Sequence, residues 1–111
     1  MAWLLRSGEV LATAEIATSR RARRRGLLGR DGVEGALLID RARSIHTMGM
    51  RFPIDVAYCR RVGEELEVLE VVSMQRWRVG APRLRAHCVI EAEMGAFERW
   101  RLVQGDVLQI K

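Results

Sequence analysis

Short strand-like segments separated by glycine-containing turns are the feature that most constrains the fold of this chain. Ser7-Gly8 separates the first two segments and favours a hairpin there. Short helices are predicted at residues 20–28, between an N-cap at Ser19 and a stop at Gly29, and at residues 95–102. The pattern predicts an α+β fold, mostly antiparallel β and barrel-like, with the two short helices packed outside. The predicted strands cover residues 3–5, 10–17, 36–39, 55–59, 65–72, 87–93 and 107–110.

The length of the chain and its apolar content limit the broad class of protein. Its 111 residues are enough for one core, so residues 1–111 are expected to form a single domain. No apolar run approaches the roughly 20 residues that a membrane span requires. The first residues, Met1-Ala-Trp-Leu-Leu-Arg6, lack the basic region of a signal peptide. A cytoplasmic protein without membrane association is therefore expected.

The two cysteines do not form a C-x-x-C pair, and in a cytosolic chain they are expected to be free, half-buried strand residues. A zinc site built from Cys59, Cys88, His46 and His87 is the alternative. It is poorly supported, because His87 and Cys88 are sequence neighbours and would point to opposite faces of a strand. We therefore predict no metal and no cofactor.

The net charge of +5 is concentrated in residues 18–30, which contain six arginines and no acidic residue. The favoured interpretation is a solvated helix face, held to the protein by the leucines at its C-terminal end. The alternative is a surface that contacts nucleic-acid phosphates, extended by Trp77 and the arginines of residues 76–85. The candidate phosphate-contacting residues are Arg20, Arg21, Arg23, Arg24, Arg25 and Arg30.

Several short motifs resemble, in order and spacing, a family of small bacterial and archaeal proteins called domain of unknown function 192. The resemblance implies a compact, mostly β fold and no established activity. It also implies a recurrent acidic residue late in the chain, which Glu91 matches. Members that carry an export signal have other residues at the positions of His46-Thr-Met and Met50-Arg, so the resemblance places this chain in a cytosolic branch. The matching motifs are Arg25-Gly-Leu-Leu-Gly-Arg30, residues 36–39, His46-Thr-Met-Gly-Met-Arg-Phe-Pro-Ile-Asp55, Val89-Ile-Glu-Ala-Glu-Met-Gly95 and Gly105-Asp106.

Residues 46–55 combine polar and soft side chains with a backbone break, which is typical of a small binding site. Pro53 favours an extended conformation at Phe52 and removes one backbone donor, so the preceding residues are expected to lie along a cleft. Arg51 would hold an anion, and a pocket with apolar walls and a few polar anchors is how small-molecule sites are built. The predicted ligand-binding residues are His46, Met48, Met50, Arg51, Asp55 and Glu91, with Trp77 as a further candidate for the wall.

A purely structural interpretation of the same residues stays open at this point. Methionines commonly fill irregular gaps in a core, so Met48 and Met50 need not contact a ligand. Arg51 and Asp55 lie four residues apart across the proline turn, where they would form a structural ion pair.

The sequence therefore predicts a non-enzymatic binding module whose partner is a small ligand or a protein, with a cleft at residues 46–55. One alternative is a nucleic-acid-binding accessory protein that uses the basic helix. A second is an enzyme in which His46 acts as a base oriented by Asp55 or Glu91. The enzyme alternative is the weaker one, because no nucleophile is placed convincingly and no common catalytic or nucleotide-binding motif is present.

Overall fold

A computed structural model describes residues 2–111, in which seven strands and two short helices alternate with turns. The helices are α1 (Arg20–Arg25) and α2 (Ala96–Arg99). Neither of these helices is long and apolar enough to cross a membrane. The strands are β1 (Ala2–Arg6), β2 (Glu9–Ala17), β3 (Ala36–Asp40), β4 (Ile54–Val62), β5 (Glu65–Met74), β6 (Cys88–Glu93) and β7 (Val107–Ile110).

The strands form a closed barrel in the order β1-β2-β3-β6-β4-β5-β7, with β7 pairing back onto β1. Every neighbouring pair is antiparallel except β2 and β3, which are parallel. A parallel pair needs a long crossover connection, and α1 with the loop that follows it supplies one. The prediction of an α+β, mostly antiparallel and barrel-like fold is confirmed.

Side chains alternate between the inside and the outside of the barrel, as the period of a β-strand requires. On β4, Ala57 and Cys59 point inward and join a buried cluster with Leu4 and Leu108. Phe97 of α2 belongs to the same cluster and lies 5.6 Å from the ring of Trp100, measured between centroids. Helix α2 is therefore held by the barrel interior.

The outer face of β3, β4 and β6 carries a second buried cluster. Ile54, Val56 and Tyr58 of β4 belong to it, and they alternate with the inward residues of the same strand. Leu27 and Ile45 cover this face from the segments that follow β2 and β3. These segments are thus packed against the barrel wall, and the candidate site lies between them.

Helix α1 is shorter than the predicted helix over residues 20–28. Ser19 caps its start, accepting a hydrogen bond from the backbone N–H of Ala22 at 3.0 Å, as predicted. The helix stops because Gly26 adopts φ 51°, a left-handed conformation that few residues tolerate. Leu27 then turns into the core and is 1% exposed, which confirms that leucines anchor a surface helix. Helix α2 is likewise shorter than the predicted residues 95–102, since Gly95, with φ 97°, is its N-cap.

Cys59 and Cys88 are opposed residues of β4 and β6, and both are free, as expected for strand cysteines, although they are fully buried and not half-buried. His87 is exposed instead, and its Nδ1 accepts a hydrogen bond from the backbone of Arg61 at 2.9 Å. Within residues 2–111, no group of three or more His, Cys, Asp or Glu side chains is placed to hold a metal ion.

Candidate functional site

A cleft of about 390 Å³ lies between α1 and the connection from β3 to β4. Its volume is at the lower end of the range for small-molecule sites. The cleft brings together parts of the chain that are distant in sequence, because the crossover between β2 and β3 lays α1 across the barrel wall. The lining residues are 23–28, Ile39, 44–46, Met48, Met50 and Glu91.

Thr47 fixes the segment that forms one side of the cleft, although its own side chain is fully buried. Its hydroxyl donates to the carbonyl of Gln75 at 2.6 Å and accepts from the backbone N–H of Arg78 at 2.8 Å. Gly80 N–H donates to the carbonyl of Ile45 at 2.9 Å, which attaches the same two segments at a second point. Nothing in the local sequence pattern marks Thr47 as an anchor between segments.

Glu91 forms the floor of the cleft. It lies on β6 between Leu37 of β3 and Val56 of β4, and the alternation along the strand turns its side chain out of the barrel. The residue is only 3% exposed, and within residues 2–111 its Oε1 atom has no hydrogen-bond partner. Burial raises the pKa of the carboxyl to about 7, against the lowering effect of the nearby Arg30.

The arginines around Glu91 bind other groups. Arg30 makes two hydrogen bonds to the carboxylate of Glu15, at 2.8 and 3.1 Å. These hydrogen bonds are the main reason that the pKa of Glu15 is lowered. Arg23 and Arg25 each donate to a backbone carbonyl at 3.2 Å. A buried carboxyl oxygen without a partner is costly, so an unpaired Glu91 marks a position that a ligand or solvent must satisfy.

Gly26 packs directly over the carboxyl group of Glu91. A Cβ atom at this position would lie 3.2 Å from Glu91 Oε1 and 3.5 Å from Ile39 Cδ1. Together with its φ of 51°, this close approach requires glycine. The sequence placed Gly26 inside a helix and missed its contact with the site.

His46 and the two methionines form the mouth and wall of the cleft. His46 is exposed, and its Nδ1 accepts a hydrogen bond from the backbone N–H of Met48 at 3.2 Å. In a neutral imidazole this bond leaves the proton on Nε2, so His46 offers a donor. Met50 is 5% exposed and Met48 is 42% exposed. Four of the predicted residues, His46, Met48, Met50 and Glu91, are therefore brought together.

Arg51 does not join this group. Its guanidinium pairs with Asp31 at 2.7 Å, and both side chains are largely exposed, so the pair contributes little to stability. Trp77, the further candidate for the wall, is 57% exposed and does not line the cleft.

Asp55 has a structural role at the end of the barrel. Its carboxylate accepts hydrogen bonds from the Ser73 hydroxyl at 2.8 Å and from the backbone N–H groups of Gly95 and Phe97 at 2.9 and 3.1 Å. The structural interpretation, which paired Arg51 with Asp55, is therefore wrong. Asp55 occupies an inward position of β4, whereas the side chain of Arg51 extends to the surface.

The basic residues of α1 lie at one edge of the cleft. Of the six predicted phosphate-contacting arginines, Arg30 is the one that pairs with a carboxylate among residues 2–111. The other five carry no such pair in that part of the chain, and residues 23–25 line the cleft directly. Outside this group, Arg83 pairs with Glu70 and lies 4.5 Å above the ring of Tyr58.

Comparison with known proteins supports the fold and leaves the activity open. The family described as domain of unknown function 192, "Uncharacterized ACR", matches residues 3–110. The barrel is similar to the crystal structure of a proposed transcription regulator from Sinorhizobium meliloti, with a TM-score of 0.79 and 18% identity over 97% of this chain and 90% of that chain. It is also similar to a protein of unknown function from Novosphingobium aromaticivorans, with a TM-score of 0.70 and 15% identity over 97% and 82% of the two chains. No curated protein matches this chain.

Proposed function

We propose that this chain, which belongs to the family of domain of unknown function 192, is a non-enzymatic binding module for a small ligand. The observation that carries the proposal is the unpaired, buried carboxyl oxygen of Glu91 at the floor of an open cleft. Apolar walls around one buried polar group are the usual design of a small-molecule site. The ligand would complete the hydrogen bonding that the chain itself leaves unmet.

Binding rather than catalysis is favoured by the surroundings of His46. An imidazole that acts as a base is usually oriented by a carboxylate on its second nitrogen. Here Nδ1 of His46 accepts from the backbone of Met48, and Asp55 is bound to the start of α2. These contacts position the histidine as a hydrogen-bond donor at the mouth of the cleft.

A fragment screen followed by two-dimensional ¹H–¹⁵N NMR tests this function. Fragments that bind the cleft should shift the amide signals of residues 26–28 and 46–50. The Glu91→Gln variant should bind these fragments with at least tenfold lower affinity. Arg51→Ala is the matched control, because this exposed side chain lies outside the cleft, and it should leave binding unchanged. Fragments that perturb only other surfaces, or that bind Glu91→Gln equally well, would refute the proposal.

Nucleic-acid binding is the second candidate, favoured by the five arginines of α1 that have no carboxylate partner among residues 2–111. The Sinorhizobium meliloti protein of similar fold is described as a proposed transcription regulator, but at 18% identity the likeness supports the fold alone. Arginine side chains on one face contact phosphates without reading sequence, so binding should fall steeply with salt.

Fluorescence anisotropy with single-stranded RNA and duplex DNA, measured across a salt series, tests this candidate. Micromolar binding that weakens with salt and disappears in a variant with five arginines replaced by serine would support it. No binding at low salt would exclude it. The variant carries serine in place of Arg20, Arg21, Arg23, Arg24 and Arg25.

A further inference from the structure

Resting on the proposed function, we infer that the cleft binds an aliphatic primary amine, with the ammonium group on Glu91 and the carbon chain between the methionines and leucines. The unpaired carboxyl oxygen at the floor and the apolar walls each support this class of ligand.

The floor of the cleft offers an acceptor, because Glu91 Oε1 accepts no hydrogen bond within residues 2–111. An ammonium group has three donors and no acceptor, so it suits a floor of this kind better than a carbonyl or carboxylate ligand does.

The walls are aliphatic and suit a methylene chain. Leu27, Ile39 and Met50 are 1%, 3% and 5% exposed, and they form the inner part of the lining. Met48 stands at the mouth, where its unbranched side chain can adjust to the ligand. A ligand that places its charge at one end and its apolar chain along these residues would bury both parts in matching surroundings.

Glu91 Oε1 has no hydrogen bond to the cationic groups around it, and the attraction between this carboxylate and an ammonium group must exceed the repulsion from Arg23, Arg24 and Arg25, which line the cleft. Arg30 is occupied by Glu15, and Arg25 donates to a backbone carbonyl. Arg24 and His46 lie at the exposed edge of the cleft, and the hydroxyl of Tyr58 is on the same face of the barrel. Glu91 Oε1 accepts no hydrogen bond from any of these groups in residues 2–111, so an incoming ammonium would provide the first partner of this atom.

The proposed pairing makes binding depend on pH in a defined direction. An ammonium ligand needs the carboxylate form of Glu91, so below about pH 7 its binding must displace one proton from the carboxyl group. Affinity should therefore rise with pH and level off above neutrality. A ligand that accepts a hydrogen bond from protonated Glu91 would show the opposite dependence.

Isothermal titration calorimetry with three six-carbon probes tests the inference on the full chain. Hexylamine carries the ammonium, 1-hexanol is a neutral donor with the same chain, and hexanoate carries the opposite charge. We expect hexylamine to bind more tightly than the other two, and about tenfold more tightly at pH 8 than at pH 6. Proton release measured in buffers of different ionisation enthalpy should accompany binding at pH 6.

Two variants assign the effect to Glu91. Glu91→Gln should abolish the preference for hexylamine and its pH dependence, whereas the control Arg51→Ala should keep both, because that exposed side chain lies outside the cleft. Tighter binding of hexanoate or 1-hexanol, or affinity that falls with pH, would overturn the inference. If fragments of another class bind the cleft and hexylamine does not, the inference fails while the proposed function stands.

Discussion

Replacing Glu91 by glutamine should stabilise the protein at neutral and alkaline pH. The carboxyl is 3% exposed and has an oxygen without a partner in residues 2–111, so its ionisation in the folded state is unfavourable. Glutamine has nearly the same shape and carries no charge. The variant therefore removes the cost of the buried charge while it keeps the packing beneath Gly26.

The magnitude follows from the pKa of Glu91, which burial raises from the ordinary value of 4.5 to about 7. The folded state thus holds a proton that the unfolded state has lost, and stability falls as pH rises through this interval. At about 1.4 kcal/mol per pKa unit, the loss amounts to about 3 kcal/mol and is complete above pH 7. The difference between variant and wild type should be near zero at pH 4.5 and should grow to about 3 kcal/mol at pH 8.

Urea denaturation at half-unit intervals from pH 4.5 to pH 8.5 measures this difference. Subtracting the curve of Glu91→Gln from that of the wild type cancels the other titrating groups, including Glu15, whose lowered pKa affects stability only at more acidic pH. A difference that stays constant with pH would refute the reasoning. So would a wild type that gains stability relative to the variant as pH rises.

Three further substitutions test the supports of the site by urea denaturation at pH 7. Asp55→Ala leaves two backbone N–H groups and a hydroxyl without their acceptor and should cost about 3 kcal/mol, whereas the exposed control Arg51→Ala should stay within about 0.5 kcal/mol. Thr47→Val keeps the shape but leaves two partly buried backbone groups without their partner, which should cost about 2 kcal/mol. Gly26→Ala strains a left-handed backbone and crowds Glu91, so it should cost about 2 kcal/mol and weaken binding in the cleft. Equal stability of Asp55→Ala and Arg51→Ala, or wild-type stability of Thr47→Val or Gly26→Ala, would contradict the corresponding role.

The sequence predicted the barrel because strand period and turn residues are local properties. It also predicted four residues of the cleft, since His46, Met48 and Met50 lie in one unusual segment and Glu91 matched a recurrent acidic position. It did not predict that β2 and β3 are parallel. That pairing is set by where the crossover packs, and it is the reason that α1 borders the cleft.

The residues that sequence reasoning misplaced depend on strand register and on contacts between distant segments. Asp55 falls on the inward side of β4, and a shift of one residue would turn it outward. Arg51, four positions earlier, lies before the strand begins and reaches Asp31 across a loop. Gly26 contacts Glu91 only because the helix ends three residues earlier than its pattern indicates.

The pKa of Glu91 is the most direct measure of whether the carboxyl group at the floor of the cleft lacks a hydrogen-bond donor. Glutamate labelled with ¹³C at the carboxyl carbon allows each side chain to be titrated by NMR, and the signal missing from Glu91→Gln identifies residue 91. A midpoint near 7 is predicted, because the carboxyl is buried and its Oε1 atom has no donor within residues 2–111. A midpoint below about 5, within the ordinary range for glutamate, would mean that the carboxylate is already paired or solvated and would contradict the proposed site.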